Sequence, residues 1–157
     1  MHRQVAAAIL ISVLLPAISS SETSVVVVQD PPGVIFAAAA SGRLKASDPF
    51  FNLDGPFWTP STTDIVRLEE RFPSFLHSSK ASGCKLLRQN TREHIRQYFG
   101  FSRNKVRLIY INGFCDAFSQ DWKETLVFVM DGGDCFYQAV YDPTADRFLE
   151  CYVNGVS

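Results

Sequence analysis

The most reactive side chains in this sequence are four cysteines and three histidines. Cys84, Cys115, Cys135 and Cys151 stand 31, 20 and 16 residues apart. Zinc sites bring cysteines in close pairs, Cys-x-x-Cys above all, and no such pair occurs here. A nucleophilic cysteine would need His77 or His94 as its base, and nothing in the sequence around either supports that. A disulfide framework, for which four cysteines allow three connectivities, is the favoured reading, ahead of a metal site, a catalytic cysteine and free buried thiols. No Gly-x-Ser-x-Gly, His-Glu-x-x-His or phosphate loop occurs, so the sequence assigns no catalytic residue, metal or cofactor. His77 is expected in a loop and His94 on a polar helix face, both at the surface.

The carboxylates offer other chemistry. Asp131 and Asp134 flank two glycines, and Asp142 and Asp146 frame a second turn. Calcium uses such groups, but the full calcium-loop spacing is absent. Aspartate also favours turns through local hydrogen bonds, which is the simpler account. A pair of acids for glycoside hydrolysis cannot be selected from spacing alone.

Charge is segregated along the chain. Between Lys80 and Arg107 there are eight basic residues and one acid, Glu93; from Asp116 onward there are eight acids and two bases. Lys85, Arg88, Arg92, Arg96, Arg103 and Lys105 are therefore a candidate anion patch. The competing reading, favoured by a net charge of −1, is internal pairing of basic segments with acidic turns. Nucleic acid is not expected as a partner. Tyr137, Tyr141 and Tyr152, with Tyr110, Phe128 and Phe148, are placed on one sheet face. Exposed, it would suit a peptide, a glycan or a second copy of the chain. Covered by residues 50–58, it would be a second core.

These groups need a scaffold, and 157 residues with 46% hydrophobic content and 13 phenylalanines suffice for one packed domain. Residues 1–19 have the layout of a secretory signal peptide: a basic start, an apolar run over 5–15, then small residues. That run is too short to span a bilayer as a helix, and no other segment qualifies. Residues 20–55 carry several prolines and are expected to be a partly disordered leader, with Val25 to Val28 as a short strand. The folded domain is expected over 56–157.

Within it, Ser61 and Asp64 resemble a capping box, and Ile65, Leu68 and Phe72 recur at helical spacing. Pro73 should end or kink that helix. A second helix is predicted after Asn90, stopped by Gly100. Strands follow over 105–115, 123–130, 135–141 and 148–153. Gly132-Gly133 reads as a hairpin turn and 142–146 as another. The fold class is α+β: one or two helices on a four-stranded antiparallel meander. The hairpin register puts Val127, Val129, Phe136 and Val140 on the helix-covered face, with Tyr137 and Tyr141 opposite. Cys135 and Cys151 then face opposite sides, which disfavours pairing them. Cys115 with Cys135 is preferred, provided the 112–121 loop folds back.

The segments Val129-Met-Asp-Gly-Gly-Asp-Cys-Phe-Tyr137, Tyr141-Asp-Pro143, Val153-Asn-Gly155, Phe57-Trp-Thr-Pro60 and Arg107 to Cys115 resemble an uncharacterised family of small exported bacterial proteins. The resemblance covers about residues 56–157 and implies a fold and a compartment, with no activity attached. The architecture is also similar to cystatin-like modules. The Gln-x-Val-x-Gly loop and Pro-Trp pair of cystatin inhibitors are absent, so protease inhibition is an analogy from fold alone. The expected function is a secreted or periplasmic, non-enzymatic binding or envelope-associated module with a protein or peptide partner. A small secreted hydrolase and a protease inhibitor are the alternatives.

Overall fold

A computed structural model of the chain describes residues 26–29, 31–41, 53, 56–89, 91–118 and 121–155. The expected signal segment and the aromatic pair Phe50 and Phe51 lie outside the described residues. The order is β1 (Val26–Gln29), β2 (Pro32–Ile35), α1 (Ala38–Ser41), α2 (Thr62–Leu76), β3 (Ile95–Arg103), β4 (Val106–Phe114), β5 (Phe136–Asp142) and β6 (Arg147–Val153). Short 3-10 turns cover Ser79–Gln89, Thr91–Glu93 and Gly133–Cys135. This is an α+β fold with one main helix on a mixed sheet.

α2 starts where its cap is written. The Asp64 N–H donates to Ser61 Oγ at 3.1 Å, and the Ser61 N–H returns to Asp64 Oδ2 at 3.1 Å. Two orphan donors of the first turn are thereby satisfied. Ile65, Leu68, Phe72 and Leu76 form its buried face. Pro73 neither ends nor stops the helix, which continues to Leu76. It stands at the head of the last turn, where it removes one backbone donor while Phe72 and Leu76 keep their burial.

The strands lie in the order β1 to β6, and every neighbouring pair is antiparallel except β2 and β3. Parallel neighbours need a long crossover, and the chain carrying α2 supplies it. So the sheet is larger than the expected four-stranded meander. The segment expected as a leader contributes two strands: Val34, Ile35 and Phe36 are fully buried. Thus the fold begins before residue 56.

The predicted second helix is β3. Its register with β4 runs unbroken from Ile95–Phe114 to Arg103–Val106. Gly100, expected to stop a helix, lies mid-strand. Its N–H and carbonyl pair with Trp58, and the Trp58 ring occupies the space a Cβ would need. The Trp58 indole donates to the Phe101 carbonyl at 3.0 Å, and Arg107 stacks 3.8 Å from the ring centroid on the other side.

Both sheet faces are covered. The α2 side carries Ile35, Tyr98, Ile109, Ile111, Tyr137, Ala139, Tyr141, Phe148 and Cys151. The far side carries Val34, Phe36, Phe99, Phe101, Leu108, Tyr110 and Val140, with Phe57 and Leu126 packed over them. The expected faces are therefore exchanged: Tyr137 and Tyr141 lie under the helix, Val140 away from it. Two causes act together. The 123–130 segment is not a strand, so no hairpin at Gly132-Gly133 sets a register. A register shift at Val140/Tyr141 displaces β6 further, although Tyr141 does lie opposite Phe148 as expected. No helix among the described residues is long and apolar enough to cross a membrane.

Candidate binding surface

The connection from β4 to β5 is the least regular part of the described sheet region and the most heavily braced. Cys115 and Cys135 close it with a disulfide, their Cα atoms 5.1 Å apart, and the Cys115 N–H donates to the Cys135 carbonyl at 2.9 Å. The expected pairing of these two cysteines is thus present, and the loop does fold back. The second disulfide joins Cys84 to Cys151, Cα atoms 5.6 Å apart, and ties the 3-10 segment to edge strand β6. Two disulfides fit an oxidising, extracytoplasmic environment.

Residues 121–131 cross the sheet without joining a ladder. Their buried backbone groups still require partners. Two of three amides in one cross-strand row provide partners, Gln97 on β3 and Asn112 on β4, with Gln138 on β5 beside Asn112. Gln97 Nε2 donates to the carbonyls of Trp122 at 2.6 Å and Thr125 at 2.7 Å. Gln97 Oε1 accepts the Val127 N–H and Asn112 Nδ2, both at 2.9 Å. Asn112 Nδ2 also donates to the Val127 carbonyl at 2.7 Å. Gln138 closes the row on Asn112 Oδ1 at 3.4 Å. At the far end, the Asn154 amide donates to the Val129 and Asp131 carbonyls. Leu126 and Val127 are drawn into the core, and the hairpin glycines serve elsewhere: Gly132 and Gly133 both have positive φ at the entry to the last 3-10 turn.

This braced loop turns apolar side chains outward. Met130 is 69% exposed, Phe118 56% and Phe128 37%, and Tyr152 on β6 is 53% exposed beside Met130. Met130 and Tyr152 line a hollow of about 300 Å³ with Gln138, Val153, Asn154 and Gly155. The sequence reading placed a binding surface on Tyr137, Tyr141 and Tyr152. Only Tyr152 is at the surface, and the first two are core residues beneath α2. Gln97, Asn112, Gln138 and Met130 were not singled out. Their signal was two glutamines and an asparagine placed among largely apolar strand residues, and a methionine near the glycines.

A larger cleft of about 460 Å³ runs between α2 and the β1–β2 hairpin, lined by Val28, Pro31, Val66, Glu69, Thr91 and Arg96 among others. Arg96 is 2% exposed. Its Nε lies 3.1 Å from Glu69 Oε1, and its terminal nitrogens donate to the His94 and Thr91 carbonyls at 2.8 Å. Tyr98 donates to the same Glu69 oxygen at 2.8 Å, and burial pushes its phenol well above the usual value. These polar groups engage one another and hold the 91–96 segment to α2.

The candidate anion patch is not one surface. Arg96 is buried against Glu69, and Arg103 pairs with Glu150 at 2.5 Å. Lys85 and Lys105 are exposed, and the side chains of Arg88 and Arg92 lie outside the described ones. Among the described pairs, Arg103–Glu150 joins the basic block to the acidic one, while from outside the basic block Arg71 binds Asp146 at 2.7 Å and Arg67 donates to the Pro143 carbonyl at 3.0 Å. His77 is exposed, with Nδ1 2.8 Å from the Pro73 carbonyl. His94 is buried, not at the surface, its Nε2 2.9 Å from the Asp134 carbonyl. Asp142 works as a turn residue, accepting the Thr144 and Ala145 N–H groups at 2.9 Å. Among the described residues no three His, Cys, Asp or Glu side chains gather as a metal site would require.

A scan against family models, a search of curated proteins and a search of solved structures each find no match to this chain.

Proposed function

We propose that the protein is an exported binding module that works through the Cys115–Cys135 loop. One observation carries this reading: a disulfide and a row of sheet amides fix the loop while Met130, Phe118 and Phe128 face solvent. A loop ordered in advance avoids most of the entropic cost of ordering on binding. Exposed apolar groups on such a frame mark interaction sites. The bridges and the signal-like start of the sequence support a secreted or periplasmic setting.

The likeness to cystatin modules is supported by α2 lying across the antiparallel β3–β6. Inhibition through a hairpin at Gly132-Gly133 is not, because that hairpin is replaced by a 3-10 turn. A hydrolase reading gains nothing from the histidines, whose ring nitrogens meet backbone carbonyls. The test is photo-crosslinking in the exported fraction, with a benzophenone side chain at position 130 and a control at exposed position 106. A discrete adduct from 130, absent from 106, is expected. No adduct from 118, 128 or 130 would sink the reading.

A further inference from the structure

The composition of the loop narrows what it binds, on the reading that the loop is the working surface. Between the two cysteines stand Asp116, Asp121, Glu124, Asp131 and Asp134, all exposed, against one lysine. That lysine, Lys123, lies 5.4 Å from the ring centroid of its neighbour Trp122. None of the five carboxylates meets a cation among the described residues. Elsewhere several acids are paired: Asp146 takes Arg71, Asp64 takes Arg67, Glu150 takes Arg103. The five loop carboxylates thus keep their negative charge without a cation partner among the described residues, in the same loop that carries Met130, Phe118 and Phe128.

From this we infer that the partner is a basic, apolar polypeptide segment, with aliphatic or aromatic side chains entering the Met130–Tyr152 hollow and lysines or arginines meeting the carboxylates of the same loop. Apolar contact at the centre supplies affinity, because water is excluded there. The exposed loop carboxylates stay solvated and supply steering and choice of partner, with a marked dependence on salt. An acidic or neutral apolar partner would bring like charge, or none, to five carboxylates that meet no cation among the described residues. That mismatch selects against it.

The probes are three fluorescein-labelled synthetic peptides of equal length, alternating lysine with leucine, lysine with serine, and glutamate with leucine. Fluorescence anisotropy against the intact, oxidised protein should show binding of the lysine–leucine peptide alone, weakening as salt is raised. Met130→Asp and Val106→Asp give proteins of identical net charge. General attraction of a basic peptide to an acidic protein predicts tighter binding by both. Docking in the hollow predicts at least about a tenfold loss for Met130→Asp and none for Val106→Asp. Circular dichroism and the absence of free thiols confirm that each variant is folded. Equal effects of the two substitutions, or equal binding of the glutamate–leucine peptide, overturn the inference. So does salt-dependent self-association abolished by Met130→Asp, which would give the surface to a second copy. Failure of every peptide alongside a crosslink from position 130 overturns the basic partner and leaves the binding loop standing.

Discussion

Asn112 donates to Gln97 Oε1 at 2.9 Å, and through that one contact two strands jointly hold a loop belonging to neither. The Gln97 and Asn112 amides stand in for a ladder strand, satisfying the carbonyls of Trp122, Thr125 and Val127 and the Val127 N–H. Gln97→Leu removes three of these contacts, of which the Val127 N–H is buried. An orphaned buried group costs about 1–3 kcal/mol. The variant should unfold at lower denaturant, and its Val127 amide should exchange much faster than the amides of β4. Unchanged exchange at Val127 would show that the loop is held by packing alone.

The two disulfides should differ in lability. Cys115 is exposed and Cys135 half-buried, whereas Cys84 and Cys151 lie in the core. Thiol–disulfide exchange requires access of the attacking thiolate. Mild reductant under native conditions, followed by alkylation and mass mapping, should label Cys115 and Cys135 first. Cys84 and Cys151 should react only as the protein unfolds. Simultaneous labelling of all four would refute this order.

Glu69 neutralises a guanidinium that is 2% exposed. Glu69→Gln keeps an acceptor for Tyr98 but strips the countercharge. Breaking one side of a buried pair costs about 3–5 kcal/mol. Arg96→Met should cost a similar amount, and the double variant less than the sum of the two. Thermal or urea unfolding of the four proteins measures the cycle. Additive losses would mean that the two side chains do not sense each other.

Asp146 links α2 to the β5–β6 turn, accepting Arg71 and, at 2.5 Å, the Tyr141 hydroxyl. Hydrogen bonds from Arg71 and Tyr141 hold its carboxyl below the usual range. The folded state therefore binds this proton less readily than the unfolded chain. The contribution is present above the ordinary aspartate value and is lost as pH falls through the lowered one. Burial, followed by the bond to Asp146, pushes the Tyr141 phenol up from 10.0 to about 12. Its contribution is full below pH 10.0 and is lost as pH rises to about 12. Asp146→Asn should flatten the acid limb and bring tyrosinate absorbance in at lower pH. An unaltered tyrosine titration in that variant would contradict the linkage.

The legible parts of this fold are those whose cause is local. Ser61 and Asp64 announce α2, Asp142 and Pro143 announce the last turn, and the alternation over 106–112 gives β4. β3 was hidden because both of its faces are buried, which erases a polar/apolar period, while Gly100 imitates a helix stop. Its glycine serves Trp58, forty-two positions earlier in the numbering, a contact no local window contains. Residues 123–130 have the composition of a strand, yet their hydrogen bonds go to side chains of β3 and β4. Distance in sequence likewise concealed the exposed loop: Met130 is exposed where Gln97 and Asn112 hold the loop's backbone.

The bridges are nested: Cys84 reaches past both Cys115 and Cys135 to find Cys151. A chain entering an oxidising compartment from its N-terminal side presents Cys84 and Cys115 before their partners. Oxidation in order of synthesis then joins Cys84 to Cys115 and Cys135 to Cys151, neither of which is native. If oxidation follows the order of synthesis, reaching the native pairs requires reshuffling as well as oxidation. The yield of this protein should then follow the supply of a disulfide isomerase in the compartment that receives it.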